Sequence, residues 1–194
     1  MNKVKIHHRK WLLEDFLKVE EVQLQYEKFD GNMSDKVRLL SLERGDAVAA
    51  LIWDISSQKL LLAKQFRLPA YNKGEGWVIE AIAGGLKADE DPEEAIKREI
   101  SEEIGFLPKK VTHIHTFFVS PGGTSERILL YFGKVSEQEK IDSGGGLADE
   151  NEDIEMVSFT PEIFFNAIEN GEIIDAKTII AGLWLKNNIQ LLKP

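Results

Sequence analysis

The sequence predicts a mixed α/β fold in which a mixed sheet is covered by helices on both faces and preceded by a strand-rich N-terminal arm. Apolar runs of strand length recur between Ala47 and Phe159, and capped amphipathic segments of helical period lie among and after them. The two kinds interleave without the regular alternation of a parallel doubly wound sheet. With 194 residues, 43% of them hydrophobic and 29% charged, the chain is long enough for a sizeable core and unlike a disordered one.

From Phe16 to Phe29 the pattern alternates, with Val22, Leu24 and Tyr26 on one side, and the turn-prone Asp30-Gly31-Asn32 follows. This reads as a hairpin running into Val37 to Leu42, so residues 1–44 are expected to form the arm and 45–194 the main domain. Denser strands follow at Ala47–Trp53, Leu60–Gln65 and Val78–Ile82. Asp91–Ile104 is the clearest helix: Asp91 can cap, Pro92 suits the first turn, Glu94 lies three after the cap, and Ala95, Ile96, Ile100 and Ile104 form the apolar stripe. Gly105 is placed to end it in left-handed geometry. Strands at Val111–Ser120 and Ile128–Gly133 flank the turn Pro121-Gly122-Gly123-Thr124-Ser125, and an irregular acidic stretch spans Ser143–Asp153. Ile154–Phe159 is strand-like, Thr160-Pro161 opens a helix ending near Gly171, and a last helix starts near Asp175. The cluster Ile179, Ile180, Leu183 and Trp184 in that helix is core or dimer contact.

Charge and composition exclude several classes of function. Asp and Glu number 33 against 24 Lys and Arg, for a net charge of -9, which disfavours a nucleic-acid polymer as partner. The lack of cysteine removes disulfides, thiol nucleophiles and thiolate metal sites, and fits a reducing compartment. No apolar run reaches membrane-spanning length, and the start MNKVKIHHRKW lacks the core of a signal peptide, so a cytoplasmic protein without a membrane partner is expected.

The chemistry concentrates in residues 84–106, where eight positions are Asp or Glu. Glu99, Glu102 and Glu103 are related by steps of three and four, so they project from one side of a helix and repel one another. Carboxylates are hard ligands, and Mg²⁺ or Mn²⁺ would turn that repulsion into attraction. Arg98 stands four from both Glu94 and Glu102, so a purely structural ion pair is an open alternative. Gly84 and Gly85 either let the backbone approach a metal or phosphate closely or simply make a tight turn.

Gly84, Glu90, Arg98, Glu99, Ile100, Glu102, Glu103, Gly105 and Phe106 together match the whole Nudix box, G-x5-E-x7-R-E-U-x-E-E-x-G-U. The chain therefore resembles the Nudix hydrolases, which implies an α/β/α sandwich and Mg²⁺-dependent hydrolysis of a nucleoside diphosphate linked to another moiety. Ser120 to Arg127 and Gly146 to Ile154 are similar to bacterial ADP-ribose pyrophosphatases, with weaker likeness along nearly the whole chain.

The resemblance implies residue roles. Glu99, Glu103, the Ala83 carbonyl and Glu102 would hold Mg²⁺ or Mn²⁺, with more than one ion per site, and Glu150 would be the general base. Arg98, Glu99, Glu103 and Glu150 then form the catalytic set. Arg67 and Glu80 match positions near the diphosphate and nucleoside, Ser120 and Glu126 match positions facing the terminal sugar, and Phe16 and Arg38 would reach the nucleobase from an arm exchanged within a homodimer. Leu39 stands where some ADP-ribose enzymes carry a second arginine, so adenine stacking can differ.

The implied reaction takes ADP-ribose to AMP and ribose 5-phosphate. GDP-mannose or a broad range of nucleoside diphosphate sugars is the alternative, since Gly144-Gly145-Gly146 resembles a loop of GDP-mannose hydrolases. A non-catalytic nucleotide-sugar sensor is disfavoured, because every box carboxylate is present. His113 and His115 share a strand face without a third ligand and read as ordinary strand positions. Ser120 lacks a partnered His and Asp and reads as a turn or binding residue, not a nucleophile.

Overall fold

The computed structural model describes residues 3–193, and they divide into two units. The N-terminal unit is a three-stranded antiparallel sheet in the order β1 (Val4–Glu14), β2 (Lys18–Tyr26), β3 (Val37–Glu43). The β2–β3 pairing is the expected hairpin, with Val22 opposite Leu39. No apolar alternation marks β1 in the sequence. It is held by the ladder to β2, bulged twice, and by cross-strand ion pairs of Arg9 with Glu20 and Lys10 with Glu21, each at 3.3 Å.

Residues 118–127 belong to this unit too, a segment that a boundary at residue 44 assigns to the main domain. Leu42 explains the difference: its N–H donates to the Gly123 carbonyl at 2.9 Å, and its carbonyl accepts from Ser125 N–H at 3.0 Å. The unit has almost no core of its own. Among its described residues Val22 alone is a buried hydrophobic, while Trp11, Phe16, Phe29, Leu39 and Leu40 are exposed.

The second unit is built on a mixed seven-stranded sheet. Its strands are β4 (Asp46–Asp54), β5 (Lys59–Phe66), β6 (Trp77–Glu80), β7 (Ile82–Gly85), β8 (Val111–Phe118), β9 (Arg127–Val135) and β10 (Glu155–Phe159). The main path runs β10-β5-β4-β9-β8, with β6 on β5 and β7 on β4. The helices are the short α1 (Leu68–Tyr71), then α2 (Pro92–Ile104), α3 (Pro161–Glu169) and α4 (Ala176–Asn187). None of them is long and apolar enough to cross a membrane.

The alternation along β4 makes the sandwich. Val48, Ala50 and Ile52 pack with Ala95, Ile96, Ile100 and Ile104 of α2, whereas Ala49, Leu51 and Trp53 pack with Phe164 and Ala167 of α3 and Ala181 and Leu185 of α4. Ile179, Ile180 and Trp184 join the second core, and Leu183 is exposed.

One expected strand is broken in two. Val78 to Ile82 reads as a single run, yet β6 pairs with β5, β7 pairs with β4, and the chain passes between partners at Ala81. The Ala81 N–H leaves the ladder and donates to Thr178 Oγ1 of α4 at 2.6 Å.

The helix α2 begins and ends where its local chemistry dictates. Asp91 accepts from the N–H groups of Glu93 and Glu94, and Gly105 closes the last turn at φ 73°, where a Cβ would lie 2.4 Å from the Asp142 carbonyl oxygen. Replacing Asp91 by Ala should lower stability by about 0.5–2 kcal/mol in urea unfolding followed by circular dichroism. An unchanged midpoint would mean that the cap carries no weight in this helix.

Candidate active site

The acidic face of α2 is organised by Arg98. Its Nε donates to Glu90 Oε1 at 2.9 Å, and its Nη1 donates to Glu99 Oε1 at 2.7 Å and Glu102 Oε2 at 2.9 Å. Glu94, a possible partner by spacing, instead pairs with Lys97 at 2.9 Å. Glu90, from the loop before the helix, thus takes the place that i,i+4 spacing offered to Glu94, with both of its oxygens on Arg98. Glu99 and Glu102 each give Arg98 one oxygen and keep the other free of hydrogen bonds among the described residues. Burial holds the Glu99 carboxyl above its ordinary pKa, and the neighbouring Arg98 only partly offsets this.

Glu103 is buried more deeply than Glu99 and Glu102. It is 2% exposed, and its Oε2 is buried without a hydrogen-bond partner among the described residues. Burial, then the charges of Glu99 and Glu80, push its pKa well above the usual carboxylate value, against a hydrogen bond from the Ala83 backbone. Gly84 completes the cradle: a Cβ there would lie 2.0 Å from Glu99 Cδ. An orphaned carboxylate oxygen, free oxygens on Glu99 and Glu102, and a glycine-opened backbone beside them form a hard-oxygen donor set that fits a divalent cation. Among the described residues no three acidic or His groups are already drawn together as a metal cage, in keeping with the hold of Arg98 on two of them.

The acidic stretch after β9 is tied to the C-terminal end of α2. Gly145 N–H donates to the Glu103 carbonyl at 2.9 Å and Gly146 N–H to the Glu102 carbonyl at 3.0 Å, so the glycine run caps the helix that bears the carboxylates. Glu150 ends a short 3-10 turn, Ala148–Glu150; it is exposed, and its side chain makes no hydrogen bond among the described residues. Glu152 accepts the Leu147 N–H at 3.0 Å, and its charge helps raise the pKa of both Glu99 and Glu103. Spacing cannot rank the four acidic residues of this loop, Asp149, Glu150, Glu152 and Asp153, as bases, and the resemblance alone selects Glu150.

Arg67 and Glu80 are joined at the ends of β5 and β6, with Arg67 Nε donating to Glu80 Oε1 at 2.7 Å. Two residues at the start of α4, the cap Asp175 and Lys177, which the sequence reading did not place near a site, complete this group. Lys177 donates to Glu80 Oε2 and, at 3.0 Å, to Asp175 Oδ1, the residue that also caps α4. Burial raises the Glu80 pKa, yet the Lys177 charge and the Arg67 bond outweigh it and leave the carboxyl below its usual value. A separation of 97 residues leaves no local signal for this contact.

The remaining expected site residues lie in the N-terminal unit. Phe16 is 86% exposed, with the Arg44 guanidinium 5.5 Å above its ring. Arg38 donates to Glu21 at 2.6 Å. Ser120 accepts from Gly123 and Thr124 through its carbonyl and so starts the turn, and Glu126 lies 3.9 Å from Arg44.

The model of the family described as the NUDIX domain matches residues 43–179. The chain belongs to the Nudix family. It is 35% identical over 193 residues to the ADP-ribose pyrophosphatase of Escherichia coli strain K12, covering 99% of this chain and 92% of the relative. The Haemophilus influenzae ADP-ribose pyrophosphatase is 32% identical across 94% of this chain and 85% of its own length. The GDP-mannose pyrophosphatase of Pectobacterium atrosepticum is 34% identical over 71% of each chain. In fold, the chain resembles a solved structure described as an ADP compounds hydrolase, with a TM-score of 0.73 at 18% identity over 97% of this chain and 95% of the other.

The burial of Glu103 has a measurable consequence in the metal-free protein. Because its folded pKa is raised, its effect on stability is favourable while it is protonated and is lost as pH climbs from the ordinary value of 4.5 through the folded one. Metal-free Glu103→Gln should therefore gain on the parent in urea midpoint as pH rises from weakly acid to neutral. Parallel pH profiles for the two proteins would show that Glu103 is not buried as a charge.

Proposed function

We propose that this chain is a divalent-cation-dependent Nudix pyrophosphatase that cleaves the diphosphate of a nucleoside diphosphate sugar, with ADP-ribose going to AMP and ribose 5-phosphate. One observation supports ADP-ribose in particular: identity to the Escherichia coli ADP-ribose pyrophosphatase extends over 99% of the chain, arm included, whereas that to the Pectobacterium GDP-mannose enzyme extends over 71%. GDP-mannose is the second reading, supported by the 34% identity of that relative.

In this reading Glu99, Glu102, Glu103 and the Ala83 carbonyl hold Mg²⁺ or Mn²⁺, with more than one ion in the site. Bound there, the cation offsets the negative charge of the diphosphate and makes water a better nucleophile. Arg98 keeps the carboxylates of α2 apart and correctly turned through its bonds to Glu90, Glu99 and Glu102. Arg67 binds the diphosphate. Glu150, exposed and unengaged, takes the proton as the water oxygen bonds to phosphorus and the bridging P–O bond breaks, and the bridging oxygen leaves on the second phosphate. Glu152 holds the loop through Leu147 N–H and adds its charge beside Glu99 and Glu103. Ser120 and Glu126 face the terminal sugar.

The reading includes a homodimer in which residues 1–44 exchange as an arm, and a cytoplasmic location for which the lack of cysteine is the support. A three-stranded sheet with one buried hydrophobic needs cover, and Phe16 and Arg38 would reach the nucleobase of the partner's site.

Incubation with Mg²⁺ and a panel of ADP-ribose, GDP-mannose, other nucleotide sugars and dinucleotides, with products identified by mass spectrometry, should give AMP and ribose 5-phosphate at the highest rate. Glu150→Gln should lower single-turnover rates by about a hundredfold to ten-thousandfold while sparing substrate and metal affinity, and Glu152→Gln should act mainly on metal affinity. Equal small losses in both variants would return the loop to a surface role. Sedimentation should give about twice 22.0 kDa, and a fully active monomer would remove the shared-pocket part of the reading.

A further inference from the structure

Arginine and carboxylate normally meet as a two-bond fork, with Nε and an Nη each taking one oxygen. Arg67 and Glu80 do not. Nε reaches Oε1 at 2.7 Å, but Oε2 is taken by Lys177 Nζ, and neither Nη of Arg67 has a hydrogen-bond partner among the described residues. Lys177 is itself fixed. Its side chain is 13% exposed and is held on its second side by Asp175, which caps α4 at Thr178 N–H. Thr178 Oγ1 in turn receives the Ala81 N–H at the break between β6 and β7, so the start of α4 is bolted to the strand that carries Glu80.

We propose that Lys177 is a positioning residue for Arg67. By occupying Glu80 Oε2 it confines Arg67 to a one-point contact through Nε and keeps Nη1 and Nη2 available for two oxygens of a diphosphate. The inference rests on the Nudix pyrophosphatase reading for the part Arg67 plays. Charge works in the same direction: Arg67 and Lys177 against Glu80 and Asp175 are two cations and two anions, summing to zero. Without Lys177 the sum is one cation less two anions, a net -1 where an anionic substrate must enter. Glu80 would then draw Arg67 into the full fork, and both Nη groups would turn from substrate to protein.

The test uses the full chain and ADP as a diphosphate probe, titrated calorimetrically without divalent cation, beside steady-state kinetics with ADP-ribose and Mg²⁺. Lys177→Met should weaken ADP binding by about ten- to hundredfold, the loss of charge-assisted bonds. It should also raise KM by a similar factor, with kcat much less affected. Lys177→Arg should recover most of the ADP affinity. Lys186→Met, which removes an exposed lysine paired with Glu169 on the same helix, should change neither. Should Lys177→Met not fold, Lys177→Gln, which removes the charge, leaves the group at net -1 and offers Glu80 Oε2 only a weaker neutral bond, should lose ADP affinity in the same direction by a smaller factor.

Unchanged ADP affinity and KM in a folded Lys177→Met or Lys177→Gln protein would overturn the proposal, as would wild-type protein that does not bind ADP. Because ADP binding is read without turnover, a protein that hydrolyses no nucleotide sugar yet shows Lys177-dependent ADP affinity would fail the functional reading and keep this one. Active enzyme with Lys177-independent affinity would do the reverse.

Discussion

The second unit is arranged around one costly group, the Glu103 carboxylate, buried on the inner side of α2 with an oxygen that no hydrogen bond reaches among the described residues. Leaving a charged acceptor unmatched in the interior is among the larger penalties a fold can carry. Its neighbours aggravate the cost, because Glu99, Glu80 and Glu152 all act to raise its pKa. A stable protein would replace such a residue unless something else supplies the missing positive charge, and a divalent cation among hard oxygens does so.

The surrounding elements follow from that requirement. Gly84 lets β7 approach Glu99 where any side chain would collide. Arg98 prevents Glu90, Glu99 and Glu102 from repelling one another while leaving oxygens free. The C-terminal end of α2, where its dipole would disfavour carboxylates, is satisfied from outside by the N–H groups of Gly145 and Gly146, which also fixes the loop that carries Glu150 and Glu152. On the other side of the cradle, the break at Ala81 brings Glu80 and its two cations beside Glu103. The sandwich supplies rigidity by burying both faces of β4.

What could be read from the sequence was whatever has a local cause. Asp91, Pro92 and Gly105 mark the ends of α2 because capping and left-handed geometry are chemical properties of single residues, and the near-continuous apolar runs of β4 and β5 follow from burial on two faces. The spacing of Gly84, Glu90, Arg98, Glu99, Glu102 and Glu103 matches the Nudix box, and that resemblance implied the reaction class before any geometry. The rest depends on tertiary choice. Whether Arg98 takes Glu90 or Glu94 is decided by the return of the approach loop, and β1 depends on its neighbour because its own pattern has no period. The strand break at Ala81 and the pairing of Lys177 with Glu80 require α4 to dock from nearly a hundred residues away.

The most direct measurement is the unfolding free energy of the substrate-free protein as Mn²⁺ is titrated in at constant ionic strength. A cation bound only by the folded state stabilises by RT ln(1 + [L]/Kd), about 2.7 kcal/mol at a hundred times Kd, and the account predicts a rise of that form. Stability that does not respond to Mn²⁺ would contradict it, for then nothing would compensate the buried carboxylate of Glu103.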